Sequence, residues 1–171
     1  MGTGRYPRSI VFYDVMPNGN EARMTSVAGR WLVIDRPVED VWAFITDISN
    51  MPKWEDSKAV WKQTSDGSIQ VGSTIQSAIT FLGRTVVFEL RVATFDPSED
   101  FTVEAATGCS KGTRISYLME EVEGRKTRLR RLTDVRFRGL ARVMQAVAGP
   151  IVRRTGELEV RNLQRLIEAD R

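Results

Sequence analysis

The stretch RPVEDVWAFITDISNMPKW, residues 36–54, is where the periodicity of the chain changes, and it decides the fold. Ahead of it, MTSVAGRWLVI (residues 24–34) alternates, with Val27, Gly29, Trp31 and Val33 on one face, which predicts a strand. Inside it, Pro37 takes a first-helical-turn position, where a missing N–H costs nothing, and Glu39 and Asp40 complement the helix dipole. Val38, Val41, Trp42, Ile45 and Ile48 then recur at the helical period and give an amphipathic helix. Asp47-Ile48-Ser49-Asn50 breaks it, and Ser49 to Trp54 reads as a second short helix or turn around Pro52.

Beyond Trp54 the period becomes two and stays so. Strands are expected at Lys58–Thr64, Ser73–Leu82, Thr85–Phe95, Phe101–Thr107, Thr113–Val122 and Arg125–Phe137, with a hairpin turn at Ser65-Asp66-Gly67-Ser68. The chain then turns helical from about Gly139 to Ala169. Leu140, Val143, Met144, Val147 and Ile151 form an apolar stripe that Leu158, Leu163, Leu166 and Ile167 continue in a shifted phase. Pro150 inside this helix predicts a kink. A helix of about 30 residues spans about 45 Å, too long for a local cap, so it must lie across the sheet. The class is α+β: a curved antiparallel sheet of about seven strands, two short helices after the first strand, and one long C-terminal helix.

Composition narrows the chemistry. The chain has 171 residues, 42% apolar and 27% charged, as in an ordinary globular protein. It contains no histidine, which excludes Ser-His-Asp and Cys-His catalysis and most zinc and iron sites. No CxxC pair, EF-hand loop, Walker A or GxGxxG motif is present, and no metal or nucleotide cofactor is expected. The single cysteine, Cys109, cannot form an intrachain disulfide and reads as an inert thiol. No apolar run reaches transmembrane length and no secretory h-region opens the sequence, so a cytoplasmic location is expected. Residues 111–171 carry 15 Lys and Arg against 8 Asp and Glu, and the first 110 residues carry 10 against 14. That basic third reads as a solvated strand face and helix back; its alternative is a surface for anionic partners.

The order of elements resembles the SRPBCC group, which includes START domains, birch-pollen-allergen-type proteins and polyketide cyclase/dehydrase-like proteins. The resemblance rests on residues 36–54, on FLGRTVVFELRVATFDP at 81–97, and on the terminal helix opening RGLARVM at Arg138, and it covers about Thr25 to Ala169. It implies a helix-grip fold: an N-terminal arm at residues 1–23, then one domain at 24–171 whose sheet wraps the long helix around a cavity. It also implies a hydrophobic small-molecule ligand such as a lipid, quinone or polyketide-like aromatic. The alternatives are an aromatase/cyclase-like enzyme acting on a poly-β-ketone, and a regulatory protein using its basic third. No specific nucleic acid is expected as a partner, weak contact with an anionic surface is allowed, and monomer and homodimer both stay open.

Strand alternation assigns the cavity-facing side chains. Ile75, Ser77, Ile79 and Phe81 share one face, as do Val86, Phe88, Leu90 and Val92, then Phe101, Val103 and Ala105, then Ile115, Tyr117 and Met119. The last strand points Leu129, Arg131, Thr133, Val135 and Phe137 inward. The expected ligand-binding set is Trp54, Ser77, Ile79, Phe88, Leu90, Tyr117 and Arg131, with Met144, Val147 and Ile151 from the helix. Trp54 is a pocket mouth or a core anchor, Ser77 a small filler or a polar contact, and Tyr117 a ligand contact or a core residue bonded to backbone. For Arg131, either a bulge after Leu129 turns Leu132 inward, or the guanidinium meets a carboxylate of protein or ligand. No catalytic residue is assigned.

Overall fold

The computed structural model describes residues 25–55, 59–81, 84–108, 110–136 and 145–169. The N-terminal arm, Cys109 and the first turn of the expected terminal helix, including Met144, lie outside the described residues. The side chains of Ile79, Val147 and Ile151 do too, although their backbones belong to described elements.

The elements run β1 (Thr25–Ala28), β2 (Leu32–Ile34), α1 (Val38–Thr46), a 3-10 turn (Ile48–Asn50), α2 (Met51–Trp54), β3 (Val60–Gln63), β4 (Thr74–Phe81), β5 (Arg84–Asp96), β6 (Asp100–Ala105), β7 (Arg114–Val122), β8 (Lys126–Val135) and α3 (Gln145–Ala169). The strands form one antiparallel sheet in the order β1-β8-β7-β6-β5-β4-β3, and β2 also pairs with β8. The sheet of about seven strands that the sequence predicts is present, and among the described residues its first strand is split into β1 and β2.

That split is a bulge. Ala28 pairs with Leu132 and Leu32 with Leu129, so Gly29, Arg30 and Trp31 face only two residues of β8. The extra residue reverses the phase. Val27 shares the concave face with Thr133, but after the bulge Leu32 and Ile34 point inward and Val33 is 48% exposed. The single odd-numbered face expected for residues 27–33 thus holds for Val27 and fails for Trp31 and Val33. Trp31 lies on the convex side, with the guanidinium carbons of Arg128 and Arg130 4.6 and 5.7 Å from its ring centroid.

A second bulge interrupts β5: Val92 pairs with Val103 and Thr94 with Thr102, so Ala93 is skipped and Phe95 joins Phe101 on the concave side. Two phase reversals on different strands supply local bends that regular pleating lacks. β8 itself keeps strict alternation, with Thr127, Leu129, Arg131, Thr133 and Val135 all buried. The bulge considered for β8 is therefore in its partner strand, and Leu132 does not turn inward.

Helix α1 buries Val38, Val41 and Ile45. It stops at Asp47, whose carboxylate accepts hydrogen bonds from Ser49 N (2.9 Å) and Ser49 Oγ (2.7 Å), which starts the 3-10 turn. Helix α3 packs against β1, β2, β8 and α2. Pro150 lies within it, and its inward stripe over the described turns is Gly156, Glu159, Val160, Leu163 and Ile167. Leu158, expected on that stripe, is 42% exposed. The far end of α3 is stitched to the strand–helix junction: Arg36 Nε donates to Ile167 O (3.1 Å), and Gln164 Nε2 donates to Val33 O (3.0 Å).

The bulge glycine sits against β8, its N–H donating to Arg131 O at 2.9 Å, and a Cβ there would lie 3.0 Å from that same oxygen. Gly29→Val should therefore cost about 1–3 kcal/mol through overpacking against backbone. Urea denaturation checks this, with Arg30→Val as a neighbouring control expected to change stability far less.

Candidate functional site

The concave face divides into two unlike halves. At the end near α1 and α2 it is filled with rings. Trp42 packs edge-on against Phe95 (4.9 Å between centroids) and Phe101 (6.4 Å), Phe101 stacks on Tyr117 (6.4 Å), and Trp54 meets Tyr117 edge-on at 5.6 Å. Trp54 is 1% exposed. Of the two readings, its burial fits the core anchor, and it does not line the cavity described below.

Tyr117 pairs directly across the sheet with Arg131, so both point to the same face, and the guanidinium hydrogen-bonds the phenol. On the other side α3 brings Glu159, whose Oε2 lies 3.2 Å from Arg131 Nη2, with both side chains under 10% exposed. Of the partners the sequence left open for Arg131, the structure supplies a protein carboxylate. Gly156, one turn before Glu159, makes room: a Cβ there would lie 2.5 Å from Arg131 Nη1. Burial pushes the Tyr117 hydroxyl far above the ordinary tyrosine range, with Arg131 opposing and Glu159 and Glu55 reinforcing. Burial works against the charge on Arg131, but Tyr117, Glu159 and Glu55 outweigh it and hold the guanidinium protonated.

At the other end Ser77, Val103 and Ala105 stand between larger side chains, and the described residues do not fill the face. A cavity of about 190 Å³ opens there, walled by Ser77 of β4, Phe88 and Leu90 of β5, Val103 and Ala105 of β6 and Ile115 of β7. Ser110 and Thr113 close one side from the β6–β7 connection, and Trp61 and Glu55 close another. Its wall is mainly hydrocarbon, with Glu55 the ionisable group among the described lining residues. Glu55 follows α2 directly and is fixed by Trp61, whose Nε1 donates to Glu55 Oε2 at 2.6 Å. Trp61 faces inward because it pairs with Ser77, which pairs in turn with Phe88.

Of the expected binding residues, Ser77, Phe88 and Leu90 meet on this wall. Tyr117 and Arg131 stand with Trp54 in the neighbouring buried cluster and do not line the cavity. Ile79, Met144, Val147 and Ile151 fall outside the described side chains. Glu55, Glu159 and Gly156 were not anticipated. Glu159 carried a signal, since it sits four residues before Leu163 and eight before Ile167 on the buried stripe. A search for apolar residues alone passes over it. Among the described residues, no cluster of three or more Cys, Asp and Glu side chains could hold a metal, and no helix is long and apolar enough to cross a membrane.

Comparison with known proteins gives a consistent picture. The family model for polyketide cyclase / dehydrase and lipid transport matches residues 23–168. No curated protein matches the sequence. Among solved structures, the Zhui aromatase/cyclase from Streptomyces sp. R1128 is similar at a TM-score of 0.69 and 13% identity, over 85% of this chain and 94% of that one. TTHA0849 from Thermus thermophilus gives 0.68 and 11%, over 85% and 98%. A protein from Rhodobacter sphaeroides gives 0.59 and 21%, over 88% and 100%. At these identities the likeness establishes the helix-grip fold.

Two outcomes follow from the buried cluster. Arg131→Leu removes the cation held against Glu159 and should cost about 3–5 kcal/mol, whereas Arg131→Leu/Glu159→Leu should return to within about 2 kcal/mol of the parent. Equilibrium denaturation of the four proteins of that cycle measures both. In an alkaline absorbance titration, Tyr117 should ionise only well above the ordinary tyrosine value of about 10. Because the folded value is raised, this group's contribution to stability is complete below the unfolded value and is lost as pH climbs through the folded one. Tyr117→Phe should remove the late-ionising component.

Proposed function

The chain belongs to the polyketide cyclase/dehydrase and lipid transport family, and from that premise we propose that it binds a hydrophobic small molecule in the cavity on the concave face of its sheet. The family's description spans cyclisation, dehydration and lipid transport, and enclosure of an apolar molecule is common to all three.

The observation that carries the reading is the wall itself. Phe88, Leu90, Val103, Ala105 and Ile115 present hydrocarbon on the inner side of a sheet whose outer side is solvated. Transfer of apolar surface from water onto such a wall contributes roughly 25 cal/mol per Å² buried. An enclosed apolar space of about 150 Å³ takes up benzene. At about 190 Å³ this cavity suits one substituted ring or a fused pair of rings, the compact end of the lipid, quinone and polyketide-like range. The buried cluster supports binding in another way: with Arg131 engaged by Glu159 and Tyr117 beneath α3, the end of the sheet beside the cavity is held still. A rigid wall spares the ligand the cost of ordering it.

Filling the cavity should abolish binding without changing the fold. Ala105→Phe is expected to weaken uptake of naphthalene by at least tenfold, while Val87→Phe, on the exposed face of β5, leaves it within twofold. Equilibrium partitioning of naphthalene into each protein measures this, and equal uptake by both variants would overturn the assignment of the cavity.

A further inference from the structure

The polar groups on the cavity wall differ in what they already hold. Thr113 Oγ1 is engaged twice by the Arg136 backbone, accepting from its N–H at 2.9 Å and donating to its carbonyl at 3.2 Å. Trp61 Nε1 donates to Glu55 Oε2 at 2.6 Å. Ser110 belongs to the β6–β7 connection and is partly exposed. Ser77 differs from all of these. It stands in the middle of β4, is 3% exposed, and faces the cavity between Trp61 on one neighbouring strand and Phe88 on the other. Its Oγ makes no hydrogen bond to any described residue. A donor proton and two lone pairs are thus turned, unused, into a space walled mainly by hydrocarbon. A buried hydroxyl in that condition is costly, and an alanine at the same place would exclude water as well without the cost.

We infer that Ser77 is the polar anchor of the cavity, its hydroxyl donating to an acceptor oxygen, such as a ketone or quinone carbonyl, on a neutral ring compound. The inference rests on the proposed binding role and adds the ligand's polar chemistry to it. Proton counting sets the polarity. A carbonyl brings acceptor sites and no proton, so its pairing with Ser77 leaves no polar proton stranded. A ligand N–H can donate to Ser77 Oγ, but the serine's own proton then stays without an acceptor in hydrocarbon. Oxygens with a spare lone pair are tolerated inside proteins more readily than orphaned donors. Neutrality follows from the wall: among the described residues lining it there is no lysine or arginine to compensate a buried carboxylate or phosphate.

Three bicyclic compounds of similar size test this by equilibrium dialysis against the full chain: indane has no polar group, 1-indanone an acceptor only, and indole a donor only. Ser77→Ala removes the hydroxyl and little else. It should weaken 1-indanone by about threefold or more, the net worth of one hydrogen bond, and leave indane and indole within about twofold. The carbonyl stretch of bound 1-indanone gives a second readout. It should lie below its position in alkane in the unmodified protein and move back towards that position in Ser77→Ala. If indane binds and Ala105→Phe abolishes it, but Ser77→Ala changes neither the 1-indanone affinity nor its carbonyl stretch, the anchoring role falls and the cavity stands. Equal weakening of indole and 1-indanone overturns the assigned polarity. A carbonyl stretch at the alkane position in the unmodified protein overturns the role whatever the stability of the variant. If none of the three compounds binds, the anchor and the cavity assignment both fall.

Discussion

Arg131 is the residue on which the geometry of this protein converges. Its carbonyl receives the N–H of Gly29 and so fixes the bulge that splits the first strand. Its side chain crosses the concave face to Glu159 and fixes where α3 lies, with Gly156 leaving space for the guanidinium. Sheet edge, bulge and helix crossing are therefore set against one another through a single side chain and its own backbone. A buried ion pair adds little net stability, because desolvation of both charges offsets their attraction. What it contributes is register. Sliding α3 by one turn along the sheet would strand both charges in hydrocarbon, and the cost of that error far exceeds the worth of the pair.

With the helix fixed over one end of the sheet, residue size decides what becomes of the rest. Where the inward residues are Trp42, Phe95, Phe101, Tyr117 and Trp54, the rings meet edge to face and fill the space. Where Ser77, Val103 and Ala105 stand between Phe88, Leu90 and Ile115, the described side chains leave a cavity. The second bulge, at Val92–Thr94, lies on the boundary between these halves. It swaps the inward set of β5 from Phe88 and Leu90 to Phe95, and so lets one strand serve a cavity at one end and a packed core at the other.

The fold was legible because two periods carry it. Residues 36–54 mark a helical interlude in a chain of strands, and the resemblance drawn from them agrees with the family match over residues 23–168. Alternation placed Ser77, Phe88 and Leu90 on the cavity wall and Tyr117 and Arg131 on the same face. Where it failed, an inserted residue was the cause: no local feature of GRW at 29–31 announces that three residues will oppose two, so the single face expected for Val27, Trp31 and Val33 is broken between Val27 and Trp31. The site was less legible for a different reason. Glu55 and Glu159 act as they do because of what stands across from them in space, and apolar patterning treats an acid as a surface residue. Arg131 pointed to a missing carboxylate but could not say that α3 would bring it.

Net charge is likewise a poor guide to what the cavity meets. The basic C-terminal third folds back on the acidic first part: Arg114 pairs with Glu104 at 2.8 Å, and Lys126 with Asp35 at 3.3 Å. Arg128 meets Glu120 and, with Arg130, covers Trp31 on the convex side. Strand parity does this sorting, since residues 128 and 130 point out and only 131 of that arginine cluster points in. Once Glu159 engages Arg131, the ionisable side chain that the described wall turns towards the cavity is Glu55. Charges on the outer face are screened by water and salt, so the sign of the chain's net charge says little about a mainly hydrocarbon wall.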